Sequence, residues 1–238
     1  MNCTLPEIAK MIDHSLLQPA MTVAELDKGI CLALQYRVAS VCVLPYYLRS
    51  CSELLRGSDV LPSTVIGFPH GSNTTHVKLT EAQQAIEDGG KELDMVVNIG
   101  KVLSGDWRYV SDEIRAVVEN THGYGGKLKV IFENCCLKDG HKIRLCEICG
   151  ELRVDWVKTS TGFGTGGATA EDVRLMREHS PPHVQVKAAG GIRSLDMVLL
   201  LREAGATRIG CSRTAEVLEE CRRRQAAGQG LTRISDPV

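Results

Sequence analysis

Two lysines in this sequence each follow a strand-like run and precede small, glycine-rich residues. The first run is Val157-Lys158-Thr159-Ser160-Thr161-Gly162, and the second is Val186-Lys187-Ala188-Ala189-Gly190-Gly191. If the two strands are neighbours, about 4.8 Å apart, their ammonium groups share one cavity. Like charges in a dry pocket favour loss of a proton from one lysine, and the neutral amine can attack carbonyl groups. The pattern therefore predicts covalent amine catalysis.

These lysines need a scaffold, and strand-like runs alternate with helical runs along the chain. The apolar or β-branched runs are 11–17, 40–45, 64–69, 93–99, 128–133, 156–161, 184–189 and 207–212. Amphipathic segments between them include 77–87, 110–120, 170–179 and 194–204. Eight strands alternating with helices, without a linker, predict one α/β domain, a (β/α)₈ TIM barrel, over residues 1–225. A doubly wound open sheet is the alternative, and residues 226–238 are predicted to form a flexible tail.

The ends of the predicted helices carry the expected capping residues. Thr169 with Asp172 resembles a capping box, Ser194 can cap the next helix, and Gly89-Gly90 and Gly205 fit helix C-terminal positions. These signals support the division into strands and helices.

Composition argues against several classes of function. Among 238 residues, 43% are hydrophobic and 24% are charged, and the net charge is −1. This balance provides no field for attracting nucleic acid or an anionic membrane, so we expect neither as a partner. No apolar run approaches the roughly 18 residues of a membrane span, and the N-terminus does not resemble a secretory signal. We therefore expect neither a membrane span nor secretion.

The ten cysteines are numerous for such a chain. Without a secretory signal we expect free thiols rather than disulfides. Cys146 and Cys149, with Cys135 and Cys136 upstream, offer a possible metal site. However, Cys146 and Cys149 fall within a helical pattern, where their spacing indicates a buried face. We therefore predict no metal site.

Polar residues interrupt the predicted strands where a structural core would have aliphatic ones. They are Asp13, Cys42, Asp94, Lys129, Glu133, Lys158 and Lys187. Three acids and three lysines balance in charge, as a buried polar cluster requires. Some of these residues have other interpretations. Lys129 and Glu133 can form salt bridges that fill the barrel interior. Asp13 can be a cap or loop residue, and Cys42 can simply pack in the core.

Glycines after the last strands predict an anion site. Gly162, Gly190 and Gly191 allow backbone N–H groups to approach a ligand, and Ser212 follows the eighth strand, where such barrels commonly bind phosphate. Residues 162–167 also satisfy the G-x-G-x-x-G pattern of dinucleotide sites. The next strand ends at Lys187 and lacks the acid that a dinucleotide site needs. We therefore expect no nicotinamide cofactor.

Together these motifs closely resemble the 2-deoxyribose-5-phosphate aldolases, which are class I Schiff-base aldolases. The resemblance covers nearly the whole chain. Its motifs are Ile12-Asp13-His14-Ser15-Leu16-Leu17, Gly67-Phe68-Pro69-His70-Gly71, Val77-Lys78, Glu81-Ala82, Glu92-Leu93-Asp94-Met95-Val96, Leu128-Lys129-Val130-Ile131 with Glu133, the two lysine runs with Phe163, Ile192 and Arg193, and Arg208-Ile209-Gly210.

The resemblance implies specific roles for these residues. Lys158 is expected to be the Schiff-base nucleophile, Lys187 to lower its pKa, and Asp94 to relay protons with Lys187. Expected substrate contacts are Asp13, Cys42, Lys129 and Thr161, with the phosphate held by Gly162, Gly190, Gly191, Arg193 and Ser212. The resemblance also implies a sugar-phosphate substrate, no metal or cofactor, a cytoplasmic location, a homodimer or higher homo-oligomer, and a role in deoxynucleoside breakdown.

Two positions depart from the family pattern. Leu44 stands where many members have asparagine, and Arg213 replaces a small residue after the phosphate-binding serine. These departures leave open a Schiff-base aldolase with another substrate. A barrel that binds sugar phosphate without catalysis is a further alternative, but the joint presence of Asp94, Lys158 and Lys187 argues against it.

Overall fold

A closed barrel of eight parallel strands forms the centre of the protein in this computed structural model, which describes residues 3–231. The strands are β1 (Ile12–Leu16), β2 (Ser40–Val43), β3 (Leu61–Ile66), β4 (Glu92–Val96), β5 (Lys127–Ile131), β6 (Trp156–Lys158), β7 (Gln185–Ala189) and β8 (Arg208–Cys211). They pair in chain order, and β8 closes on β1, so that Asp13 lies opposite Gly210. The TIM-barrel prediction is confirmed, and the open sheet is wrong.

Helices surround this barrel. They are α1 (Leu5–Ala9), α2 (Val23–Tyr36), α3 (Leu48–Leu54), α4 (Thr75–Glu87), α5 (Ile99–Leu103), α6 (Trp107–Gly123), α7 (Asp139–Glu151), α8 (Ala170–Glu178), α9 (Leu195–Glu203) and α10 (Thr214–Ala226). Two short 3-10 turns occur at Pro45–Tyr47 and Asn134–Cys136. None of the helices in residues 3–231 has both the length and the apolar character needed to cross a membrane.

The predicted capping residues lie at the helix ends. The side chains of Thr169 and Ser194 accept hydrogen bonds from the backbone of the first turns of α8 and α9. Gly89 and Gly205 follow α4 and α9 with φ of 94° and 113°, in the left-handed region that favours glycine. Local sequence therefore determines where these helices begin and end.

The main apolar core lies between the outside of the barrel and the helices. Outward-facing strand residues such as Leu93, Val130 and Ile209 pack there and are fully buried. The inward-facing residues alternate with them, as a strand's period of two requires. Several of these inward-facing residues are charged, such as Asp94, Lys129 and Lys187, whereas a purely structural barrel is filled with aliphatic side chains.

Some strand boundaries differ from the prediction. The third run was placed at 64–69, but β3 begins at Leu61 and includes Pro62, whose carbonyl accepts a hydrogen bond from Lys91 N. A proline lacks only the donor, so its carbonyl can still join the ladder. The predicted run 93–99 starts one residue late, because β4 begins at Glu92.

The predicted tail, residues 226–238, is described only as far as residue 231. Helix α10 ends at Ala226, and Leu231 is buried, with its carbonyl accepting from Cys3 Sγ at 3.5 Å. Residues 232–238 lie outside the described part of the chain. The domain boundary at residue 225 therefore stays a prediction.

Candidate active site

The two predicted lysines lie side by side inside the barrel. Lys158 on β6 is the register partner of Lys187 on β7. Both Nζ atoms contact the same carboxylate oxygen, Oδ2 of Asp94 on β4, at 2.6 Å for Lys158 and 2.7 Å for Lys187. Lys158 is 3% exposed and Lys187 is 1% exposed. The geometry thus brings two amines and one carboxylate together in a dry environment.

A second layer of charged residues lies next to the triad of Lys158, Lys187 and Asp94. Lys129 Nζ contacts Asp94 Oδ1 at 2.9 Å, Glu92 Oε2 at 2.6 Å and Asp13 Oδ2 at 3.4 Å. Lys187 also contacts Asp13 Oδ2, at 2.5 Å. Lys129, Asp13 and Asp94 are fully buried. For Lys129 the structure therefore shows the salt-bridge plug that the sequence left open as an alternative.

The charges of this cluster bias the two lysines in opposite directions. Burial lowers the pKa of Lys158, and the Lys187 cation lowers it further, against the opposing effect of Asp94. Burial also opposes the charged form of Lys187, but Asp13 and Asp94 outweigh it and raise its pKa. Against burial, the surrounding lysines hold the pKa of Asp94 well below its usual range. Lys158 is therefore the lysine that most readily loses its proton.

A cavity of about 210 Å³ opens above Lys158 at the C-terminal ends of the strands. Its lining includes every predicted phosphate contact together with Thr161. The full lining is Ser15, Leu17, Gln18, Lys158, Thr161, Gly162, Phe163, Ala189, Gly190, Gly191, Ile192, Arg193, Gly210 and Ser212. In a TIM barrel this end carries the chemistry.

The loop after β6 forms one wall of the cavity by close backbone packing. Ala168 N donates to Gly190 O at 3.1 Å, and a Cβ at Gly167 would lie 2.3 Å from that oxygen. Gly190 has φ of 89°, which strongly favours glycine. Side-chain-free residues at these positions let the two loops meet and leave their N–H groups near the cavity.

Glu133 supports the same loop from the end of β5. Its carboxylate accepts from the hydroxyl of Thr161 and, at 3.3 Å, from Thr161 N. Glu133 is 4% exposed and adopts a left-handed conformation with φ of 58°. The sequence offered a salt bridge for Glu133, whereas the structure shows a hydrogen-bonding support for the cavity wall.

Three predicted substrate contacts lie away from the cavity lining. Asp13 and Lys129 belong to the buried ion network, where they pair with other charged side chains of the protein. Cys42 is 1% exposed and packs with Leu17 and Val65, and burial raises its thiol pKa. Contact of these three residues with substrate stays a prediction, and their geometry favours support of the triad.

Sequence reasoning missed Glu92 and Arg208 as members of the site. The guanidinium of Arg208 donates to both oxygens of Glu92 at 2.8 Å and also pairs with Asp13. Glu92 precedes Asp94 by two residues and so shares its face of the strand, a signal that the late predicted start of this strand concealed.

The two departures from the family pattern have clear locations. Arg213 is exposed and pairs with Glu216 at 3.0 Å, outside the cavity lining. Leu44 packs against the small apolar cluster of Leu17, Cys42 and Val65. Arg213 therefore does not crowd the cavity.

Two of the cysteines considered as metal ligands follow the packing interpretation, whereas Cys135 and Cys136 are exposed. Cys146 and Cys149 are buried on α7, as the helical spacing predicted. Within residues 3–231 no group of three or more His, Cys, Asp or Glu side chains has the arrangement to hold a metal ion.

Comparisons with known proteins agree with this geometry. A family model described as DeoC/LacD family aldolase matches residues 8–215. A protein of Rhodopirellula baltica named deoxyribose-phosphate aldolase is 64% identical over 217 residues, covering 91% of this chain and 90% of the relative. A protein of the same name from Thermococcus gammatolerans is 49% identical over 218 residues, covering 91% and 97%.

A solved structure shows the same fold. It is described as a tetrameric deoxyribose phosphate aldolase from Aeropyrum pernix, and it superposes with a TM-score of 0.85 at 33% identity. The match covers 92% of each chain.

Proposed function

This chain belongs to the DeoC/LacD family of aldolases, and we propose that it cleaves 2-deoxyribose 5-phosphate reversibly through a Schiff base on Lys158. The products are acetaldehyde and glyceraldehyde 3-phosphate. The observation that carries the proposal is Lys158 itself, a buried lysine that lines the cavity and shares one oxygen of Asp94 with Lys187. The names of the close relatives support the substrate.

Covalent catalysis begins with an uncharged amine on Lys158. Lowering a lysine pKa from about 10.4 to about 7 requires roughly 4–5 kcal/mol of differential stabilisation, which burial and one neighbouring cation can supply. The neutral Nζ attacks C1 of the open-chain aldehyde, and the resulting carbinolamine loses water to give an iminium ion. The carbon–nitrogen double bond then serves as an electron sink.

Cleavage breaks the C2–C3 bond of the bound sugar. The C3 hydroxyl gives up its proton and becomes the aldehyde of glyceraldehyde 3-phosphate, while the bonding electrons move to C2 and form an enamine. Protonation of C2 regenerates an iminium ion, and its hydrolysis releases acetaldehyde and Lys158. The two proton transfers require groups beside the reacting carbons.

In this proposal Asp94 connects those proton transfers. Its Oδ2 touches both Nζ atoms, so it can bridge proton movement between Lys158 and Lys187. Its lowered pKa makes it a weak base, which favours this bridging role over long residence of a proton on the carboxylate. Lys187 remains the charged proton reservoir.

The rest of the cavity suits a phosphate group. Gly162, Gly190 and Gly191 bring backbone donors to its wall, and Arg193 and Ser212 add a cation and a hydroxyl. Helix α9 begins at Leu195, two residues after Arg193 of the cavity lining, so the positive end of its dipole lies close to this part of the site. These groups line the same cavity as Lys158, so one bound sugar phosphate can contact both.

A product assay tests this proposal. Purified protein is incubated with 2-deoxyribose 5-phosphate and, separately, with 2-deoxyribose, and both aldehyde products are quantified. We expect stoichiometric acetaldehyde and glyceraldehyde 3-phosphate from the phosphorylated sugar, and much slower cleavage of the other. Because the chemistry uses only groups of the chain, EDTA should leave the rate unchanged. Binding of the sugar phosphate without products would favour the non-catalytic alternative instead.

We extend the proposal to assembly and location. The tetrameric relative from Aeropyrum pernix supports a homo-oligomer for this chain. A cytoplasmic enzyme of deoxynucleoside breakdown fits the proposed substrate. Light scattering after size exclusion tests the assembly, and a mass equal to one chain of 25.9 kDa would contradict it.

A further inference from the structure

A buried ion pair that the proposed chemistry does not touch lies on the other side of the cluster from the cavity. Arg208 Nη1 and Nη2 each donate to an oxygen of Glu92 at 2.8 Å. The Glu92 side chain is 1% exposed and that of Arg208 is 12% exposed, beneath the ring of Trp156 at 4.9 Å. Neither residue lines the cavity above Lys158.

We propose that Glu92 and Arg208 are positioning residues that set the protonation state of Lys158 through the net charge of the buried cluster. This inference rests on the proposed Schiff-base function. It assigns to the pair a role in catalysis that requires no contact with substrate.

The argument starts from the charges. The carboxylates Asp13, Glu92 and Asp94 carry three negative charges, and all are buried. Lys129, Lys187 and Arg208 carry three positive charges and hold ion pairs with these acids. The cluster is therefore neutral when Lys158 is uncharged, and it carries an excess positive charge when Lys158 is protonated. An uncompensated buried charge is costly, so the cluster favours the neutral amine.

Contacts link the pair to Lys158 without a break. Arg208 pairs with Asp13, Asp13 Oδ2 lies 2.5 Å from Lys187 Nζ, and Lys187 shares Asp94 Oδ2 with Lys158. Lys129 forms a parallel link, because it contacts both Glu92 and Asp94. In such a dry interior, charge effects extend further than they do in water.

Other groups near the pair and near Lys158 are accounted for. The charged groups that act on the pair are Asp13 from β1 and Lys129 from β5, and Lys187 on β7 is the register partner of Arg208. The titratable groups that act on Lys158 are Cys42, Asp94 and Lys187. The pKa shifts agree with the charge balance. Burial opposes the charged form of Lys129, Lys187 and Arg208, but nearby acids outweigh it and raise the pKa of all three. Burial lowers the pKa of Lys158, and there the nearby acid does not outweigh it.

Variants that change this balance in opposite directions test the inference. Arg208→Met removes a cation, so Lys158 should keep its proton to higher pH. The pH profile of adduct formation should therefore shift upward by about one pH unit. Glu92→Gln removes an acid and should shift the profile to lower pH by a similar amount. The double variant Arg208→Met/Glu92→Gln restores neutrality and should return the profile to that of the wild type.

The measurement is the pH dependence of adduct formation on Lys158, with acetaldehyde and cyanoborohydride, followed by intact mass and peptide mapping. The pH profile of kcat/KM for cleavage is recorded alongside. Arg144→Met and Glu147→Gln, on an exposed pair of α7, change the same formal charges at the surface and should shift nothing.

The possible outcomes separate this inference from the proposed function. A wild type that forms no adduct on Lys158 contradicts the Schiff-base proposal itself. If the wild type forms the adduct, but the pH dependence of adduct formation does not differ between Glu92→Gln and the double variant, only the role of the pair is overturned. Glu92→Gln must shift the profile downward, and the double variant must not. The test therefore remains decisive even when Arg208→Met alone fails to fold. A purely structural role would lower activity without these opposite shifts.

Discussion

Lys158 and Lys187 are register partners on adjacent strands, and their Nζ atoms lie 2.6 and 2.7 Å from the same oxygen of Asp94. This shared oxygen keeps two amines close in a buried site. Because Lys187 has additional support from Asp13, the two amines are not equivalent. The one with fewer acidic partners, Lys158, lines the cavity.

Replacing Lys187 should change the pH at which the enzyme works. Its cation contributes to the lowered pKa of Lys158, so Lys187→Met should raise that pKa and move the activity optimum to higher pH, by on the order of one unit. Lys187→Arg keeps the charge and serves as the control, with a smaller shift expected. The pH profile of kcat/KM is the measurement, and a Lys187→Met profile that coincides with the wild type removes Lys187 from this role.

Arg193 should act on the phosphate alone. Arg193→Met removes a charge-assisted contact and should raise KM for 2-deoxyribose 5-phosphate by about tenfold or more. Cleavage of unphosphorylated 2-deoxyribose should change little. Arg213→Ser is the matched control, because Arg213 pairs with Glu216 outside the cavity lining. Equal losses for both sugars would contradict a phosphate contact by Arg193.

The buried pair of Lys78 and Glu113 should matter for stability. Lys78 Nζ lies 2.9 Å from Glu113 and donates to Val96 O at 2.8 Å, and both side chains are fully buried. Lys78→Met leaves the buried Glu113 carboxylate without its cation, although it keeps the hydrogen bond from Asn98 N at 3.0 Å, and should reduce the free energy of unfolding by roughly 3–5 kcal/mol. Urea denaturation measures this loss. Lys78→Met/Glu113→Gln should recover part of it, and an equal loss in both variants would argue against a charge effect.

His14 should make stability depend on pH. Burial lowers its pKa from 6.5 to about 4, and Nδ1 lies 2.8 Å from Thr214 Oγ1. The folded state therefore favours neutral His14, and this stabilisation is complete above about pH 6.5 and is lost as the pH falls towards 4. Between pH 7.5 and pH 5, the wild type should lose about 2 kcal/mol more than His14→Asn in urea denaturation. Parallel losses in both proteins would show that His14 does not titrate in this way.

The fold was largely predictable because apolar or β-branched runs and helix caps are local signals. All eight strands appear within the predicted runs or overlap them, and Thr169 and Ser194 cap the helices they were expected to cap. The lysines were predictable for a similar reason, since glycines follow each one. Boundaries were harder, because Pro62 favours a late strand start in sequence but its carbonyl still joins the ladder.

The ion network could not be predicted in full because its partners meet only when the barrel closes. Glu92 and Arg208 are 116 residues apart and face each other across the barrel interior. No local pattern pairs one with the other, and an arginine at the start of a strand commonly faces solvent. The placement of Lys129 among acids likewise depends on the register of β4 and β5.

Trapping the Schiff base tests the central claim most directly. The protein is treated with acetaldehyde and borohydride, digested and mapped by mass spectrometry, with Lys158→Ala as the control. We expect one two-carbon adduct on the peptide that contains Lys158, and no adduct and no turnover in a folded Lys158→Ala protein. An adduct mapped to Lys187 or Lys129, or turnover that survives in Lys158→Ala, would contradict the account.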